Sequence, residues 1–386
     1  MSGPKPRWRT TLQTPPSPRI AVAGDAVLAT CYGPGRTDTL ACFALADGEV
    51  RWQVELADFI LGDGLASAEL VVDRDGDAAY LVQRATVASF AVTTGAKRWS
   101  TMVPPAEPFE SFTIAGAPVI VGSRLILRSR RSRLVVVDRQ SGALQWKTED
   151  HDSAYDVVIA DGVAITRSLE ADDLRAHELA SGAALWNRAA GGKVVAVARI
   201  GDDGGTYLVT EDRAVVALEP RSGAARWRVP VNGVARAAQV GTTVVLADDG
   251  AVRAFDAATG AARWQLPGRG PALVAPLDGT TLLVVRAAAT SVVDIATGTT
   301  RDHDGHELTE YDRMLDARTG AAIVTTAGGV ARLCSLDSSG GLREQAIGEQ
   351  VARPGEPLPH GVLQALVTAD GAVTLDADHE LARFVK

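Results

Sequence analysis

Hydrophobic residues recur along the chain in short runs that are separated by polar turns. Between residues 237 and 266 the runs AAQVG, VVLAD, AVRAFDA and AARWQL are separated by Thr-Thr, Asp-Gly and Thr-Gly. The run AVRAFDA follows a period of two, and no segment keeps the 3.6-residue period of a helix. The pattern therefore predicts four short antiparallel strands joined by tight turns, and an all-β protein.

The same unit returns along the chain, and six copies carry a common sequence word. The words ADGEVRW, TTGAKRW, QSGALQW, ASGAALW, RSGAARW and DAATGAARW each place a tryptophan four residues after a glycine. Counted from Trp8, successive tryptophans are 37 to 47 residues apart. In the last word, Asp256 is placed to accept backbone N–H groups, and Gly260 supplies the positive φ of the turn.

A four-stranded unit of this size cannot bury its own apolar face, so it must pack on a neighbouring unit. Tryptophan suits that contact because it offers a large apolar ring and one N–H that requires an acceptor. We therefore predict a structural docking role for the seven tryptophans of the chain, Trp8, Trp52, Trp99, Trp146, Trp186, Trp227 and Trp264.

Radial stacking of such units predicts a single β-propeller domain over residues 1–386. Residues 18–346 read as eight complete repeats, although Asp302 and Gln345 stand at the tryptophan position in the last two. Residues 347–386 read as a loop plus three strands, and residues 1–17 supply the missing fourth strand around Trp8. We predict nine blades, with the ring closed by the N-terminal strand. Eight blades is the alternative, because propellers of seven or eight blades are commoner.

The word D-x-x-[TS]-G-x-x-x-W resembles the tryptophan-docking motif of pyrroloquinoline-quinone-type propeller repeats, which are WD40-like in architecture. These repeats occur in quinoprotein alcohol dehydrogenases, in the lipoprotein of the outer-membrane barrel assembly machinery, and in sensor regions of some actinobacterial kinases. The resemblance covers nearly the whole chain and implies a propeller. Because the motif is architectural, it says little about function.

Charge, hydropathy and cysteine usage narrow the functional classes. The net charge of −8 argues against general nucleic-acid binding. The apolar runs are strand-sized, which predicts no membrane insertion. The N-terminus shows no apolar signal region, so we expect a cytoplasmic protein. Cys31 and Cys42 could be neighbours across a hairpin, but a reducing compartment disfavours a disulfide.

No catalytic or cofactor motif appears in the chain. The resemblance would imply a vicinal disulfide in a quinoprotein dehydrogenase, yet Cys31, Cys42 and Cys334 are isolated from one another. There is no CxxCH, G-x-S-x-G, H-E-x-x-H or P-loop word either. We therefore predict neither an enzyme nor a bound cofactor.

The segments between strands differ in length in a systematic way. First-to-second and third-to-fourth strand turns are mostly short, whereas the long segments all follow a second or a fourth strand. Long loops on a rigid scaffold are where binding residues concentrate. The sequence thus predicts a partner-binding face with candidate residues Tyr32, Phe59, Phe109, Phe112, Arg128, Arg130, Arg131, Arg133, His151, His303 and His306.

Each candidate cluster also has a simpler interpretation. The arginines of 128–133 suit an anionic partner or form a solvated hairpin tip, and Phe109 and Phe112 suit partner anchors or fold back onto the scaffold. The segment RDHDGHE (301–307) contains metal-binding residue types but no known metal-site spacing, so a polar loop is expected. VVDRDGDAAY (71–80) looks faintly like a calcium loop but fits a turn on Asp75-Gly76. We predict no metal site.

These observations favour a non-catalytic scaffold or recognition subunit that uses the long-loop face to hold another protein, whose identity the sequence does not give. One alternative is binding of a small molecule or carbohydrate in the central channel. The apolar first strands AAQVG and PVIVG (118–122) weigh against it. A second alternative is an unrecognised hydrolase or lyase, because residues from different blades converge only in space.

Overall fold

The computed structural model describes most of the strand-forming part of the chain. The described residues are 6–13, 19–32, 37–56, 68–73, 75–103, 117–128, 134–148, 154–168, 173–189, 194–200, 206–211, 213–232, 236–268, 272–286, 289–304, 314–318, 321–325, 331–336, 342–348, 362–368, 370–376 and 380–385.

Within these residues every regular element is a β-strand, and the strands form nine four-stranded antiparallel sheets. The predicted all-β class and four-strand repeat are confirmed. None of the described residues forms a helix long and apolar enough to cross a membrane. Sheets 1 to 4 consist of β2 (Ile20–Ala23), β3 (Ala26–Tyr32), β4 (Asp38–Ala44), β5 (Val50–Glu55); β6 (Glu69–Val72), β7 (Ala78–Gln83), β8 (Thr86–Ala91), β9 (Lys97–Met102); β10 (Val119–Val121), β11 (Arg124–Arg128), β12 (Leu134–Asp138), β13 (Leu144–Lys147); and β14 (Ala154–Ala160), β15 (Val163–Ser168), β16 (Asp173–Glu178), β17 (Ala184–Ala189).

The remaining sheets repeat this order, except that the last one takes its outer strand from the N-terminus. Sheets 5 to 9 consist of β18 (Val194–Ile200), β19 (Thr206–Glu211), β20 (Ala214–Leu218), β21 (Ala225–Pro230); β22 (Arg236–Val240), β23 (Thr243–Ala247), β24 (Ala251–Asp256), β25 (Ala262–Pro267); β26 (Ala272–Pro276), β27 (Thr281–Arg286), β28 (Ala289–Asp294), β29 (Thr300–Asp304); β30 (Met314–Arg318), β31 (Ala321–Thr325), β32 (Ala331–Leu336), β33 (Leu342–Gly348); and β34 (Val362–Thr368), β35 (Gly371–Asp376), β36 (Glu380–Val385), β1 (Trp8–Thr11).

The N-terminal strand β1 pairs antiparallel with β36, and Trp8 lies opposite Arg383. Across the same pair, the guanidinium of Arg9 and the carboxylate of Glu380 are 2.8 Å apart. The predicted pairing of the two chain ends is therefore present. The number of blades in a closed ring stays a prediction.

The described contacts group the chain into two compact units. The N-terminal unit comprises residues 5–155 with 373–385 and contains sheets 1 to 3, and the C-terminal unit comprises residues 156–372 and contains sheets 4 to 8. The prediction of one domain over residues 1–386 is not tested by this grouping and stays a prediction.

Within each unit the hydrophobic core lies between neighbouring sheets. Leu28 and Leu40 of sheet 1 pack with Leu81 of sheet 2, and all three are fully buried. In the C-terminal unit, Val245 of sheet 6 packs in the same way with Val284 of sheet 7. In these pairs each sheet buries its apolar face against its neighbour, as expected for a repeat too small to form its own core.

The tryptophans lie at these seams. The indole of Trp227 in β21 lies over Gly260 of the next sheet, and its Nε1 donates to the carbonyl of Ala257 at 2.9 Å. The same contact recurs with Nε1–O distances of 2.8 to 3.0 Å. The additional ring–glycine pairs are Trp8 on Gly48, Trp52 on Gly95, Trp99 on Gly142, Trp186 on Gly223 and Trp264 on Gly298. Trp146 lies half-buried in β13.

In five of the six words the glycine therefore contacts the tryptophan of the preceding sheet, not the one four residues later. Gly260 has a φ of 70°, which favours glycine. A Cβ at this position would lie 2.6 Å from Cγ of Trp227, which is too close for any side chain. The turn and the docking ring thus impose two independent requirements for glycine at one position.

Each of the six sheets that carry a tryptophan after a glycine has a β-bulge next to it. In sheet 6, Ala254 pairs with Trp264 but Phe255 pairs with Ala262, so Arg263 has no partner in the ladder. A bulge re-aims the following side chain, and here it directs the tryptophan toward the next sheet. The bulged residues are Arg51, Arg98, Gln145, Leu185, Arg226 and Arg263.

The bulged arginines are held by acidic residues of their own sheet. Arg263 donates to the Asp256 carboxylate at 2.7 Å, and Arg98 donates to Asp77 at 2.8 Å. Arg51 makes two bonds to Asp25, and Arg226 bonds Glu219. The in-and-out alternation of side chains is interrupted at these arginines, and the ion pairs stabilise the bulges.

Sheet 7 has neither the tryptophan nor the bulge beside it. Its fourth strand carries Asp302 in place of tryptophan, and its ladder runs without a bulge from Val293–Thr300 to Ser291–Asp302. The Asp302 carboxylate accepts a hydrogen bond from the Ser291 hydroxyl at 2.7 Å instead of docking a neighbour. The bulge therefore accompanies the tryptophan and is not a fixed property of the hairpin.

Asp256 organises its turn as the sequence predicted. Its Oδ1 accepts the backbone N–H groups of Ala258 and Thr259 and the Thr259 hydroxyl. Together with the bond from Arg263, these contacts lower the pKa of Asp256 from 3.8 to about 2. Asp138 and Asp294 accept equivalent turn bonds, which also lower their pKa values.

The possible pairing of Cys31 with Cys42 does not occur, and both thiols are free and buried. In the β3–β4 hairpin, Cys31 lies opposite Thr39, whereas Cys42 lies opposite Leu28. The two cysteines are three positions out of register, so they point to opposite faces of the sheet. Burial raises the pKa of each thiol to about 11.

We expect Gly260→Ala to destabilise the protein by about 2–4 kcal/mol, because it combines a left-handed backbone with a clash against Trp227. The matched control is Gly241→Ala, because Gly241 has a φ of 54° but no atom within 4 Å of a Cβ. It should cost only about 1 kcal/mol. Urea unfolding of both variants measures the two losses in free energy of unfolding. Equal losses would show that the Trp227 indole does not exclude a side chain at position 260.

We expect acid to remove the stabilisation that Asp256 gives its turn. The folded-state pKa of about 2 lies below the ordinary value of 3.8. The contribution is therefore fully present above pH 4 and is lost as the pH falls toward 2. Thermal unfolding of wild type and Asp256→Asn should differ at pH 6 and converge near pH 2. A difference that stays constant over this range would contradict the prediction.

Candidate functional site

The long segments of the chain leave each sheet at one edge, where the second and fourth strands end. We call this the long-loop edge, and the opposite edge, with the first-to-second and third-to-fourth strand turns, the short-turn edge. Tyr32 ends β3 and Arg128 ends β11, so both lie at the long-loop edge and both are half-buried. His303 lies next to the last residue of β29 at the same edge of sheet 7.

The other candidates of the predicted binding face lie outside the described residues, so their placement stays a prediction. They are Phe59, Phe109, Phe112, Arg130, Arg131, Arg133, His151 and His306.

At the long-loop edge of sheet 1, backbone bonds hold the start of the first strand to the end of the second. The backbone N–H of Arg19 donates to the Thr30 hydroxyl at 2.8 Å, and the N–H of Thr30 donates to the Arg19 carbonyl at 2.9 Å. The N–H of Tyr32 donates to the carbonyl of Gln13. These bonds fix the base of the segment that follows Tyr32.

A bidentate ion pair joins sheets 1 and 2 at this edge. Arg19 Nε and Nη2 lie 2.9 and 3.0 Å from the two carboxylate oxygens of Glu69. The side chains are 28% and 22% exposed, and the bond to Glu69 raises the pKa of Arg19. Sequence reasoning missed this pair because the residues are 50 positions apart and belong to no motif.

The long-loop edge of sheet 2 contains a two-residue turn formed by Arg84 and Ala85. Gln83 pairs with Thr86 across the turn, and Thr86 pairs with Met102 of β9. The N–H of Val103 donates to the Ala85 carbonyl at 2.8 Å. Arg84 is exposed and has a φ of 51°. Met102 therefore lies one strand away from an arginine with an unfavourable backbone conformation.

Met102 is the most exposed large hydrophobic residue of the described chain, at 65%. Val50 and Leu144, at 53% and 41%, are the other two, and both begin a fourth strand at the short-turn edge. Met102 ends a fourth strand, so it lies at the long-loop edge. Exposed methionine is enriched at protein interfaces because its side chain adapts to different partners.

Sheet 3 adds basic residues to the same edge. Arg128 pairs with Leu134 at the start of β12, and Val135 pairs with Lys147 at the end of β13. Leu134 and Thr148 are bonded twice, through Thr148 N–H at 3.0 Å and the Thr148 hydroxyl at 3.1 Å. The ends of the three strands are thereby held together.

One apolar cluster connects the edges of sheets 2 and 3. It contains Val87 and Val103 of sheet 2 together with Leu127 and Val135 of sheet 3, all at most 1% exposed. Val103 follows Met102 and Leu127 precedes Arg128. Met102 and Arg128 therefore flank one packed seam within the N-terminal unit.

The C-terminal unit uses its long-loop edge differently in sheet 6. Burial of Asp248 raises the pKa of its carboxyl group. Hydrogen bonds from three backbone N–H groups and the nearby charge of Arg253 outweigh this effect, so the pKa lies below its usual value. The three N–H groups are those of Gly250, Asn232 and Ala251. Arg253 also donates to the carbonyl of Pro230 at 2.8 Å. These contacts close a turn and leave no group of Asp248 directed at a ligand.

The possible metal sites do not form among the described residues, where no group of three ligand side chains occurs. Asp73 accepts the N–H groups of Asp77 and Ala78, which fits a turn on Asp75-Gly76 rather than a calcium loop. Asp302 is held by Ser291, and the segment after Asp304 lies outside the described residues.

The polar content of the first strands departs from the sequence interpretation, which relied on AAQVG and PVIVG. β6 begins with Glu69, and β22 begins with the exposed Arg236, directly before AAQVG. These two charges lie at the long-loop edge of sheets 2 and 6. The first strands β14, β18 and β30 also contain charged residues, Asp156, Arg199 and Asp316. Ligand binding in the central channel therefore stays an alternative prediction.

Comparisons with known proteins agree with the resemblance seen in the tryptophan word. The family model described as outer membrane protein assembly factor BamB matches residues 4–168 and 170–384. A search of the curated proteins found no match.

Solved structures with similar folds come from several classes of protein. BamB from Moraxella catarrhalis is 15% identical with a TM-score of 0.49, over 97% of this chain and 98% of that one. The C-terminal WD40 domain of Sif2 is 9% identical with a TM-score of 0.56, over 79% and 91%. A europium-containing methanol dehydrogenase is 11% identical with a TM-score of 0.51, over 86% and 84%.

The WD40 domain and the methanol dehydrogenase confirm the β-propeller fold, and the family model confirms the predicted pyrroloquinoline-quinone-type repeat family. A methanol dehydrogenase and a WD40 domain both have this fold. The fold alone therefore does not decide whether the chain is an enzyme. The function must be argued from the edge that carries Arg84, Met102 and Arg128.

We expect a double-mutant cycle of Arg19→Met and Glu69→Gln to give a coupling free energy of about 1–2 kcal/mol, because the pair is bidentate and mostly shielded from water. The matched control is Arg51–Asp25, also bidentate but 36% and 81% exposed. Its coupling should be near zero in 0.5 M salt. Equal couplings for both pairs would show that the Arg19–Glu69 bridge is an ordinary surface contact.

Proposed function

Since the chain belongs to the family of the outer membrane protein assembly factor BamB, we propose that it is a non-catalytic scaffold that holds another protein at its long-loop edge. The mechanism is preorganisation. Strand pairing, ion pairs and packed seams fix the ends of the strands, so contacts made there lose little conformational entropy on binding.

The family description supports an assembly role rather than a catalytic one. We further propose that the protein works in the cytoplasm, without a cofactor. The support for the last point is chemical: the three cysteines are isolated and buried, and no catalytic motif is present.

The observation that carries the proposal is the position of Met102. It is 65% exposed at the long-loop edge, between the buried Val103 and the fourth-strand residues that follow the docked Trp99. A large apolar side chain left in water on a rigid base is a typical anchor for a partner. The predicted anchors Phe109 and Phe112 belong to the segment that begins directly after Val103.

The test is affinity capture with the full chain from native extract, followed by mass spectrometry. Met102→Ser removes the exposed anchor at the long-loop edge, and Val50→Ser removes a residue of similar exposure at the short-turn edge of the same unit. We expect a stoichiometric partner to be captured about 10-fold less by Met102→Ser, as for an interface hot spot. Val50→Ser should capture it like wild type.

A second variant replaces Phe109 and Phe112 by Ser and should weaken the same partner. Loss of the partner with Val50→Ser, but not with Met102→Ser, would move the binding surface to the short-turn edge. Absence of any stoichiometric protein partner for wild type would contradict the scaffold proposal.

A further inference from the structure

The turn between the third and fourth strands of sheet 2 lacks a carboxylate that equivalent turns contain. The word DAATGAARW of sheet 6 begins with Asp256, whereas the corresponding AVTTGAKRW of sheet 2 begins with Ala91. All nine residues of the sheet 2 word are described. The N–H of Gly95 donates to the carbonyl of Ala91 at 2.8 Å, and Gly260 makes the same bond in sheet 6 at 2.8 Å. The two turns therefore have the same backbone pairing.

Three turns of the chain show which contacts the missing carboxylate makes. Oδ1 of Asp138, Asp256 or Asp294 accepts the N–H groups of the second and third residues that follow it, and also the hydroxyl of the third. These bonds are 2.8 to 3.1 Å long in all three turns. They define one position for a carboxylate oxygen, bound by two backbone donors and one hydroxyl.

Sheet 2 contains the same three donors but not the carboxylate. Thr93 and Thr94 are the second and third residues after Ala91. The Thr93 N–H has no acceptor among the described residues, and the Thr94 N–H donates to the Ala91 carbonyl at the long distance of 3.4 Å. Oγ1 of Thr94 accepts the N–H of Ala96 at 3.3 Å, which is the contact that the threonine hydroxyl of sheet 6 also makes. The donors are thus arranged for an acceptor that Ala91 does not provide.

The arginine of the word has its own counter-ion in both sheets. In sheet 6, Nη2 of Arg263 donates to the Asp256 carboxylate at 2.7 Å. In sheet 2, Nη2 of Arg98 donates to the Asp77 carboxylate at 2.8 Å, and Asp77 belongs to the turn between the first and second strands. The carboxylate of Asp77 therefore neutralises the arginine, but it does not supply the acceptor for the threonine turn.

The other word that begins with alanine differs from that of sheet 2. In sheet 1 the first residue is Ala44, and Asp47 is the third residue after it, where its carboxylate accepts the N–H of Glu49 at 3.0 Å. A second carboxylate would be repelled at that turn. Of the six words in their nine-residue form, that of sheet 2 is the one without an acidic residue.

The acceptor position in sheet 2 is accessible from solvent. Thr93 and Thr94 are exposed, and Ala91 is half-buried. The side chain of Asp256, which fills the equivalent position in sheet 6, is 28% exposed. An acidic side chain of another molecule can therefore reach the turn without any rearrangement of the sheet.

We propose that the turn of Thr93 and Thr94 binds the side-chain carboxylate of an aspartate from a partner protein. One oxygen takes the position of Asp256 Oδ1 and accepts the two threonine N–H groups and the Thr94 hydroxyl. The second oxygen lies on the side of Arg98. Successive backbone N–H groups in a turn are a known way to bind anions. The site lies at the short-turn edge, so it goes beyond the scaffold function proposed for the long-loop edge.

The experiment is an NMR titration of the full chain, labelled in its threonine amides, with the peptide acetyl-Gly-Asp-Gly-amide. We expect saturable shifts of the Thr93 and Thr94 amides. Ala91→Asn places a neutral oxygen at the acceptor position and should weaken peptide binding about 10-fold or more. The matched control is Ala96→Asn in the same turn, which leaves that position open and should bind the peptide like wild type.

Thermal unfolding of the same variants tests the placement of the donors. Ala91→Asn should melt at or above the wild-type temperature, because its side-chain oxygen accepts the two threonine N–H groups. A lower melting temperature would contradict the proposal, because the turn would then have no place for the acceptor.

Four results of the titration would overturn the proposal. Acetyl-Gly-Asn-Gly-amide could produce the same shifts as the aspartate peptide, or Ala91→Asn could bind the aspartate peptide like wild type. Inorganic phosphate could saturate the amides where the aspartate peptide does not. A peptide with a free C-terminal carboxylate and no acidic side chain could bind more tightly. Met102→Ser lies at the opposite edge and should leave the titration unchanged, so failure of this proposal and failure of the scaffold proposal are distinguishable.

Discussion

The contact on which this protein depends is an indole ring lying on a glycine of the next sheet. The ring brings apolar area to the seam, its N–H satisfies a turn carbonyl, and the absent Cβ gives it room. Trp227 on Gly260 shows all three components at once. Since a four-stranded sheet of this size cannot bury its apolar face alone, the contact allows neighbouring sheets to pack together.

The docking contact also controls the local geometry of the fourth strand. In each of the six strands that carry a tryptophan after a glycine, the residue directly before the tryptophan forms a β-bulge. The bulge changes the direction of the tryptophan side chain relative to simple strand alternation. The residue displaced by the bulge is often an arginine, and an acidic residue of the same sheet holds it, as Asp256 holds Arg263. In sheet 7, tryptophan and bulge are absent together. A bulge at this position therefore accompanies the docking tryptophan, and in four of the six sheets an ion pair accompanies the bulge.

Function in a repeat protein is best sought where a repeat departs from its own rules. Arg84 takes a turn position that Gly24, Gly122, Gly241 or Asp161 occupies in other two-residue turns, and Met102 leaves a large apolar side chain in water. Both occur at the edge of sheet 2 from which a long segment departs, and the basic residues of sheet 3 adjoin them. The exposure of Met102 is the departure that supports a partner-binding edge.

The sequence by itself determined the strand pattern, the four-strand repeat, the pairing of the N-terminal strand with β36, and the tryptophan positions. Each is encoded locally, by alternation, by turn residues or by a short word. It did not determine which sheet each glycine serves, the bulges, or the Arg19–Glu69 bridge, since these join residues about 30 to 50 positions apart or arise only when two strands pair. It left a Cys31–Cys42 neighbour pair possible while disfavouring a disulfide, and the register excludes the pair. Arg84 and Met102 stayed hidden because backbone conformation and exposure are properties of the folded chain and not of any motif.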